Sequence, residues 1–211
     1  VRSRRDLAMN ETRERILEVS LSLFSEYGYS AVSIRDICKT VGIKESTIYY
    51  HFKNKYAILE ELLSRFQSKA DSMMGYLTSQ ISGETNTFGD NFYIETCNHF
   101  FEHYLMDEFC NKIMRIMQIE QFNNEEVQKI YKHWMFAEPL KFQSSIFQRL
   151  MDIGIIAKAD SEYMAIKYYA PIFFFAQKWL LCGKLSEENK EAFRKNAYKH
   201  IHVFFSEIGG V

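Results

Sequence analysis

Side chains able to hydrogen-bond to phosphate groups or base edges are concentrated in one short segment near the N-terminus. Residues 44–52 predict a short helix, on which Ile48 and Phe52 lie one turn apart and face the core. The outer side then carries hydroxyl, amine and imidazole groups, from Lys44, Ser46, Thr47, Tyr50 and His51. A helix of this width fits the major groove of DNA, where each base pair presents a distinct pattern of donors and acceptors.

A second short helix, ended by a glycine turn, precedes this segment and would position it. Ser33 is a suitable N-cap, and Asp36 stands three residues later, where a capping box places its acid. The helix would bury Ile34, Ile37, Cys38 and Val41, and Gly42 would end it. Two short helices joined in this way predict a helix-turn-helix. Such pairs also occur in proteins that do not bind DNA, so the pattern alone leaves DNA binding open.

Longer strings around this motif carry a family resemblance. They are TRERIL at 12–17, YGY at 27–29, VSIRDI at 32–37, VGI at 41–43 and TIYYHFKNK at 47–55. On these residues the segment of about 11–66 resembles the TetR family of regulators. The remaining two-thirds of the chain resemble that family only in helical layout and length. In the family this region is variable and holds the effector pocket and the dimer interface.

The resemblance implies double-stranded DNA as a partner and eight contact residues: Ser33, Lys44, Ser46, Thr47, Tyr49, Tyr50, His51 and Lys55. By position, Ser33 would hold a phosphate through its hydroxyl and the helix N-terminus. Lys55 would bind a phosphate from the start of the next helix. Two residues depart from the family pattern: a small capping residue is common at the position of Lys44, and Glu45 places an acid on a helix that must approach a polyanion.

The charge is distributed unevenly along the chain, although the net charge is only −1. Residues 1–55 carry ten Lys and Arg against seven Asp and Glu, whereas residues 56–211 carry sixteen against twenty. A basic head on an acidic body permits phosphate binding by one end of the molecule.

Sparse helix breakers predict an all-α fold. The chain has two prolines and nine glycines in 211 residues. We expect about nine helices, arranged as a three-helix DNA-binding head at 1–55 and a ligand-binding and dimerisation body at 56–211. Residues 82–91 form the clearest loop, and five helices follow at about 91–106, 108–121, 124–153, 161–182 and 187–208. Pro139 and Pro171 should each kink or interrupt a helix.

Aromatic and methionine side chains crowd the body beyond what a tightly packed bundle needs. They are consistent with an ordinary core or with an apolar pocket for a lipophilic or aromatic effector. The predicted pocket residues are Phe100, Tyr104, Met117, Trp134 and Phe147. Surplus apolar residues on the last two helices predict a homodimer contact that includes Phe174, Phe204 and Phe205.

Other function classes find little support in the sequence. The four cysteines are scattered, and no apolar run is long enough for a membrane span, so we expect a reduced, cytoplasmic protein. No phosphate loop or nucleophile motif indicates an enzyme, and we expect no cofactor. His99 and His103 are four residues apart and could ligate a metal, but without a dense Cys/His cluster we expect none.

Together these patterns predict a ligand-responsive transcriptional regulator that represses from a palindromic operator as a dimer. A small effector would move the fourth helix, at about 55–76, and so release the operator. An activator or an effector-free repressor stays open as an alternative. Outside DNA binding, the alternative is a dimeric helical ligand-binding or scaffold protein without operator-specific DNA binding.

Overall fold

The computed structural model describes residues 4–82 and 90–208, and within these residues the fold contains helices and no strands. They form nine helices: α1 Arg4–Tyr27, α2 Ile34–Val41, α3 Glu45–His51, α4 Lys55–Ser82, α5 Asp90–Phe100, α6 Glu108–Glu120, α7 Glu125–Lys132 with its continuation Glu138–Asp152, α8 Ser161–Phe175, and α9 Glu187–Glu207. Three of these helices include a π-helical turn: Phe101–Leu105 follows α5, His133–Ala137 lies between the two parts of α7, and Ala176–Leu181 follows α8. The predicted all-α class is confirmed. The loop predicted at 82–91 lies, apart from its ends, outside the described residues.

The chain divides into two compact units. The first comprises the residues up to Lys69 together with Lys112–Gln128, and the second comprises Ala70–Asn111 and the residues from Lys129 onward. Each passage of the chain from one unit to the other falls inside a helix, in α4, α6 and α7. The functional division at residues 55 and 56 stays a prediction. None of the described helices is long and apolar enough to cross a membrane.

Helix α2 begins and ends as its sequence predicts. The backbone N–H of Asp36 donates to the Ser33 hydroxyl at 3.2 Å, and the backbone N–H of Ser33 donates to the Asp36 carboxylate at 2.8 Å. These two bonds form a capping box, which satisfies donors that a helix N-terminus otherwise leaves without partners. Gly42 ends the helix with a φ of +81°, in the left-handed region that glycine adopts without strain.

The turn between α1 and α2 is held in the first unit by the end of α6. Gly28 has a φ of +88°, and a Cβ at this position would lie 3.0 Å from Ile119 Cγ2 and 3.1 Å from Glu120 Oε1. The Glu120 side chain is buried, and its carboxylate accepts from the backbone N–H of Ser30 at 3.1 Å and from the Ser30 hydroxyl at 2.7 Å. The turn therefore needs a residue without a side chain at position 28.

An ionic network joins α1 to the first half of α4. Arg13 donates to both carboxylate oxygens of Glu61, and Arg65 donates to both oxygens of Glu14 at 2.7 Å. Arg65 also donates to Glu61 at 2.8 Å, so the two pairs form one network. Hydrogen bonds from Arg13 hold the pKa of Glu61 below its ordinary value, and those from Arg65 do the same for the pKa of Glu14.

In the second unit, helices α7 and α8 continue through the prolines that were expected to kink or interrupt them. Pro139 has no N–H to donate to the carbonyl of Met135, four residues earlier, and this carbonyl accepts from the Tyr169 hydroxyl at 2.9 Å instead. The π-helical turn at His133–Ala137 immediately precedes the proline. Near Pro171, the carbonyl of Tyr168 is bonded to Nε2 of His200 at 2.9 Å. At Pro139, a side chain thus replaces the missing backbone donor.

We expect Gly28→Ala to destabilise the protein by at least about 1 kcal/mol, because the left-handed conformation strains any residue with a Cβ and the added methyl would press on Ile119 and Glu120. Urea unfolding followed by circular dichroism measures this change. Gly75→Ala is the matched control, since this helical glycine has open space around it. The control should gain about 0.5–1 kcal/mol. Equal stability of the two variants would contradict the role given to Gly28.

We expect Glu61→Gln to destabilise the protein at pH 7, and we expect this destabilisation to shrink as pH falls from 7 to below 4.5. The folded-state pKa of Glu61 is below the ordinary 4.5, so its contribution is present above pH 4.5 and is lost as pH falls through the folded-state value. Thermal unfolding of both proteins across this range tests the expectation. Glu60→Gln, which changes an exposed residue on the same helix, should follow the wild type. A difference between Glu61→Gln and wild type that stays constant with pH would contradict the network's role.

Candidate DNA-binding surface and cavity

Helix α3 is fixed to the first unit through its apolar side. Ile48 is fully buried and Phe52 almost so, and they lie with Ile37, Cys38 and Val41 of α2 among the buried residues. The guanidinium of Arg13 lies over the Phe52 ring, 4.8 Å from its centroid. These contacts confirm the inward side that the spacing predicted, and they leave the opposite side of α3 for a partner.

The outer side of α3 presents an unusual number of exposed hydrogen-bonding side chains. Tyr50 is 66% exposed and Tyr49 is 53% exposed, which is far more than a core tyrosine shows. Lys44 and Ser46 are also exposed, whereas Thr47 and His51 are half-buried. Six of the eight residues predicted to contact DNA thus lie on this one short helix and its first flanking residue. Their contacts with DNA stay a prediction.

Two of these side chains are oriented by neighbours. The Tyr50 hydroxyl lies 3.3 Å from Sδ of Met9 in α1, and the Tyr50 and His51 rings meet edge to face. Burial, together with the charge of Arg13, lowers the pKa of His51. His51 is therefore favoured as a neutral hydrogen-bonding group at pH 7 rather than as a cation.

Glu45, which looked out of place on a DNA-binding helix, has a partner on α2. Arg35 donates through Nε to the Glu45 carboxylate at 3.0 Å. Both side chains are largely exposed, so the pair contributes little to stability. It does place a cation beside the acid at the start of α3. Sequence reasoning missed Arg35, because a pairing across ten residues depends on how α2 and α3 pack.

The two predicted phosphate ligands outside α3 are both engaged within the protein. The Ser33 hydroxyl donates to Asp36 at 2.6 Å and accepts the capping bond of α2. The Lys55 ammonium donates to the backbone carbonyls of Tyr29 at 2.8 Å and Val32 at 2.7 Å, and it lies over the Tyr29 ring. Burial lowers the pKa of Lys55, and the nearby Glu120 opposes this shift. A phosphate contact from either residue stays a prediction.

The second unit contains two neighbouring cavities. The larger has about 520 Å³ of empty volume, part of it open to solvent, and its lining includes Phe100, Phe142, Tyr168 and Tyr169. The smaller, of about 220 Å³, is lined in part by Phe100, Tyr104 and Trp134. Three of the five predicted pocket residues therefore line a cavity, and the binding of an effector there stays a prediction.

The other two predicted pocket residues, Met117 and Phe147, do not line either cavity. Met117 is fully buried in the first unit. Phe147 packs in the core of the second unit, with its ring 5.8 Å from that of Tyr168 and 5.5 Å from that of Phe204. Met117 and Phe147 were predicted because the body is rich in aromatic and methionine residues. Three polar residues that do line the larger cavity, Thr96, Cys97 and Gln143, were not predicted, because nothing in their spacing indicates a pocket.

The predicted dimer residues differ in exposure. Phe174 is 58% exposed, Phe205 is half-buried, and Phe204 is buried in the core. The rings of His99 and His103 are tilted against each other with centroids 4.5 Å apart, and the His99 ring lies 4.0 Å from that of Tyr76. Within the part of the chain that the structure describes, no three His, Cys, Asp or Glu side chains come together as metal ligands.

Known proteins share both the helix-turn-helix and the overall length of this chain. Residues 16–62 match the model of the family described as bacterial regulatory proteins, tetR family. The biofilm operon icaADBC negative transcriptional regulator IcaR of Staphylococcus aureus is 23% identical over 92% of this chain and all of its own length. The transcriptional repressor KstR2 of Mycolicibacterium smegmatis is 23% identical over 75% of this chain and 80% of its own length.

The fold also has a counterpart among solved structures. SmeT, the repressor of the Stenotrophomonas maltophilia multidrug efflux pump SmeDEF, superposes with a TM-score of 0.62 at 18% identity, over 92% of this chain and 89% of SmeT. This likeness concerns the fold. Together with the family match over residues 16–62, and with the anchored α3 that exposes its polar side, it shows that the N-terminal part of the chain resembles the tetR family of bacterial regulatory proteins.

Proposed function

We propose that this protein is a ligand-responsive transcriptional repressor that binds a palindromic operator as a homodimer. The observation that carries the proposal is the geometry of α3, which buries Ile48 and exposes Tyr49, Tyr50, Ser46 and Lys44 on a helix-turn-helix. A helix so placed can enter the major groove with its N-terminal residues on base edges. The protein acts by binding rather than by catalysis, in the cytoplasm.

Repression is favoured over activation by what the relatives do. IcaR is named a negative transcriptional regulator, and KstR2 is named a transcriptional repressor. Both matches extend well beyond the helix-turn-helix, to 92% and 75% of this chain. A repressor needs only to occupy its operator, which a dimer with two recognition helices about one helical turn apart can do.

A homodimer is supported by apolar residues left exposed on α8. Phe174, Tyr163 and Ile166 are 58%, 61% and 48% exposed. One recognition helix contacts too few bases to be selective, so two copies are needed for a specific operator. We propose that Phe174 and the half-buried Phe205 contribute to the contact, with the buried Phe204 supporting them through packing.

Release by a small lipophilic or aromatic effector is supported by the course of α4. This helix provides Lys55, which holds the carbonyls of the α1–α2 turn, and it also provides Met74 and Leu77 in the wall of the larger cavity. An effector that prefers one position of α4 would select the conformation with weaker operator affinity.

Fluorescence anisotropy with fragments from the region upstream of the protein's own gene tests the proposal. We expect one fragment to bind at least a thousandfold more tightly than a scrambled fragment of equal length, and tight binding to require two half-sites. Affinity should fall steeply with salt. Equal affinity for all fragments at every salt concentration would overturn operator binding and leave a dimeric ligand-binding or scaffold protein.

Variants of α3 should separate backbone contacts from base contacts. We expect Tyr50→Ala to weaken binding to all fragments alike, and Lys44→Gln both to alter the preferred sequence and to reduce the slope of log affinity against log salt by about one. Lys141→Gln is the matched control, since it removes an exposed cation from α7. If Lys44→Gln and Lys141→Gln changed binding equally, the charge of α3 would have no special part in DNA binding.

A further inference from the structure

The larger cavity of the second unit is lined mainly by apolar side chains. Phe100 and Phe142 provide aromatic faces, and Leu77 and Ile172 provide aliphatic ones. Phe100 is itself stacked on Tyr104, with the ring centroids 5.3 Å apart and the planes 26° apart. About 520 Å³ of empty space, part of it open to solvent, lies between these side chains. A planar hydrocarbon ring in contact with these side chains would gain binding free energy mainly because its apolar surface leaves water.

The described residues that line this cavity include no Asp, Glu, Lys, Arg or His. A carboxylate or ammonium bound inside would give up its hydration without meeting an opposite charge, which is costly in an apolar site. Burial also raises the pKa of Tyr169, so this tyrosine lines the cavity as a neutral phenol. A lining of this composition favours uncharged ligands over charged ones.

Polar groups are nevertheless present in the lining. Gln143 offers a carboxamide, which can both donate and accept, and Thr96 adds a hydroxyl. The Cys97 thiol lies 3.4 Å from the Tyr168 hydroxyl, and both residues line the cavity. The Tyr169 hydroxyl is committed to the Met135 carbonyl at 2.9 Å. A ligand could therefore place one hydrogen-bonding group near Gln143 while its body stays among the aromatic rings.

We propose that this cavity binds an uncharged small molecule with an aromatic body and one hydrogen-bonding group, and that it excludes carboxylates and ammonium ions of the same size. The binding step stands on the cavity alone. Its regulatory consequence, release of DNA, rests on the proposed function.

Three probes with the same ring system but different charges test the selection. They are 2-naphthol, which is neutral at pH 7, 2-naphthoate, which is an anion, and 2-naphthylmethylamine, which is a cation. In calorimetric titrations of the full chain without DNA, we expect 2-naphthol to bind at least tenfold more tightly than either charged probe. Binding of a charged probe as tight as that of 2-naphthol, or no binding of 2-naphthol, would overturn the inference.

Cys97 reports whether the probe occupies this cavity. Cys38 and Cys110 are buried, and Cys182 is exposed, so Cys182→Ser leaves Cys97 as the accessible thiol of the chain. We expect 2-naphthol at saturation to slow labelling of Cys97 by N-ethylmaleimide at least fivefold. An unchanged labelling rate in the presence of bound 2-naphthol would place the probe elsewhere and overturn the assignment of the site.

Gln143→Leu removes the hydrogen-bonding carboxamide from the lining and leaves the apolar side chains of the cavity unchanged. We expect it to weaken 2-naphthol roughly five- to tenfold and to leave naphthalene, which has no such group, unaffected. Gln148→Leu on the same helix is the control, since the Gln148 side chain is exposed and bonded to Asp152. Equal weakening of naphthalene by Gln143→Leu would show a loss of packing instead and would count against the polar contact.

Measurements without DNA and measurements with DNA distinguish ligand binding in the cavity from the regulation of DNA binding. Calorimetry and thiol labelling are carried out without DNA and concern the cavity alone. Release of an operator fragment by 2-naphthol is then measured by anisotropy. Binding that is selective by charge supports the cavity inference whether or not DNA is released, whereas binding without release would count against effector control.

Discussion

The turn between α1 and α2 is the constraint on which the DNA-binding surface depends. Lys55 donates to carbonyls at both ends of this turn, and Glu120 accepts from the backbone and hydroxyl of Ser30 between them. Partly buried polar groups are costly unless they are bonded, so these bonds favour the observed geometry of the turn. That geometry determines where α2 begins, and α2 in turn supports α3. The position of the polar side of α3 therefore follows from groups that need not touch DNA.

Several cations of the head and of the adjoining part of α4 form contacts within the protein. Arg13 and Arg65 hold α1 to α4 through Glu61 and Glu14, and Lys55 holds the turn. Arg35 faces Glu45. The head therefore uses some of its ten Lys and Arg, among them Arg13, Arg35 and Lys55, for contacts within the protein. Affinity for DNA must then draw on neutral donors, such as the tyrosine hydroxyls and backbone N–H groups, as well as on charge.

The parts of this structure that were predictable from sequence are those that local rules determine. The capping box of Ser33, the stop at Gly42 and the inward side of Ile48 and Phe52 depend on residues within a few positions of each other. The partners of Lys55 and Glu45 were not predictable, because they are set by how helices distant in sequence pack. Only some of the residues that line the cavity were predicted. Phe147 and Phe100 are both phenylalanines in the sequence, and packing alone decides which of them lies in the core and which lines the cavity.

Helix α4 connects the head with the wall of the larger cavity, so the connection requires no flexible loop. It is one continuous helix, with Lys55 as its first residue and Leu77 near its end in the cavity wall. A ligand that filled the cavity equally well in every position of α4 would leave the DNA equilibrium unchanged, however tightly it bound. Effector control therefore requires more than occupancy. It requires that the ligand's contacts with Met74 and Leu77 be better in one position of α4, so an effective ligand must reach this wall of the cavity and not only the rings of Phe100 and Phe142.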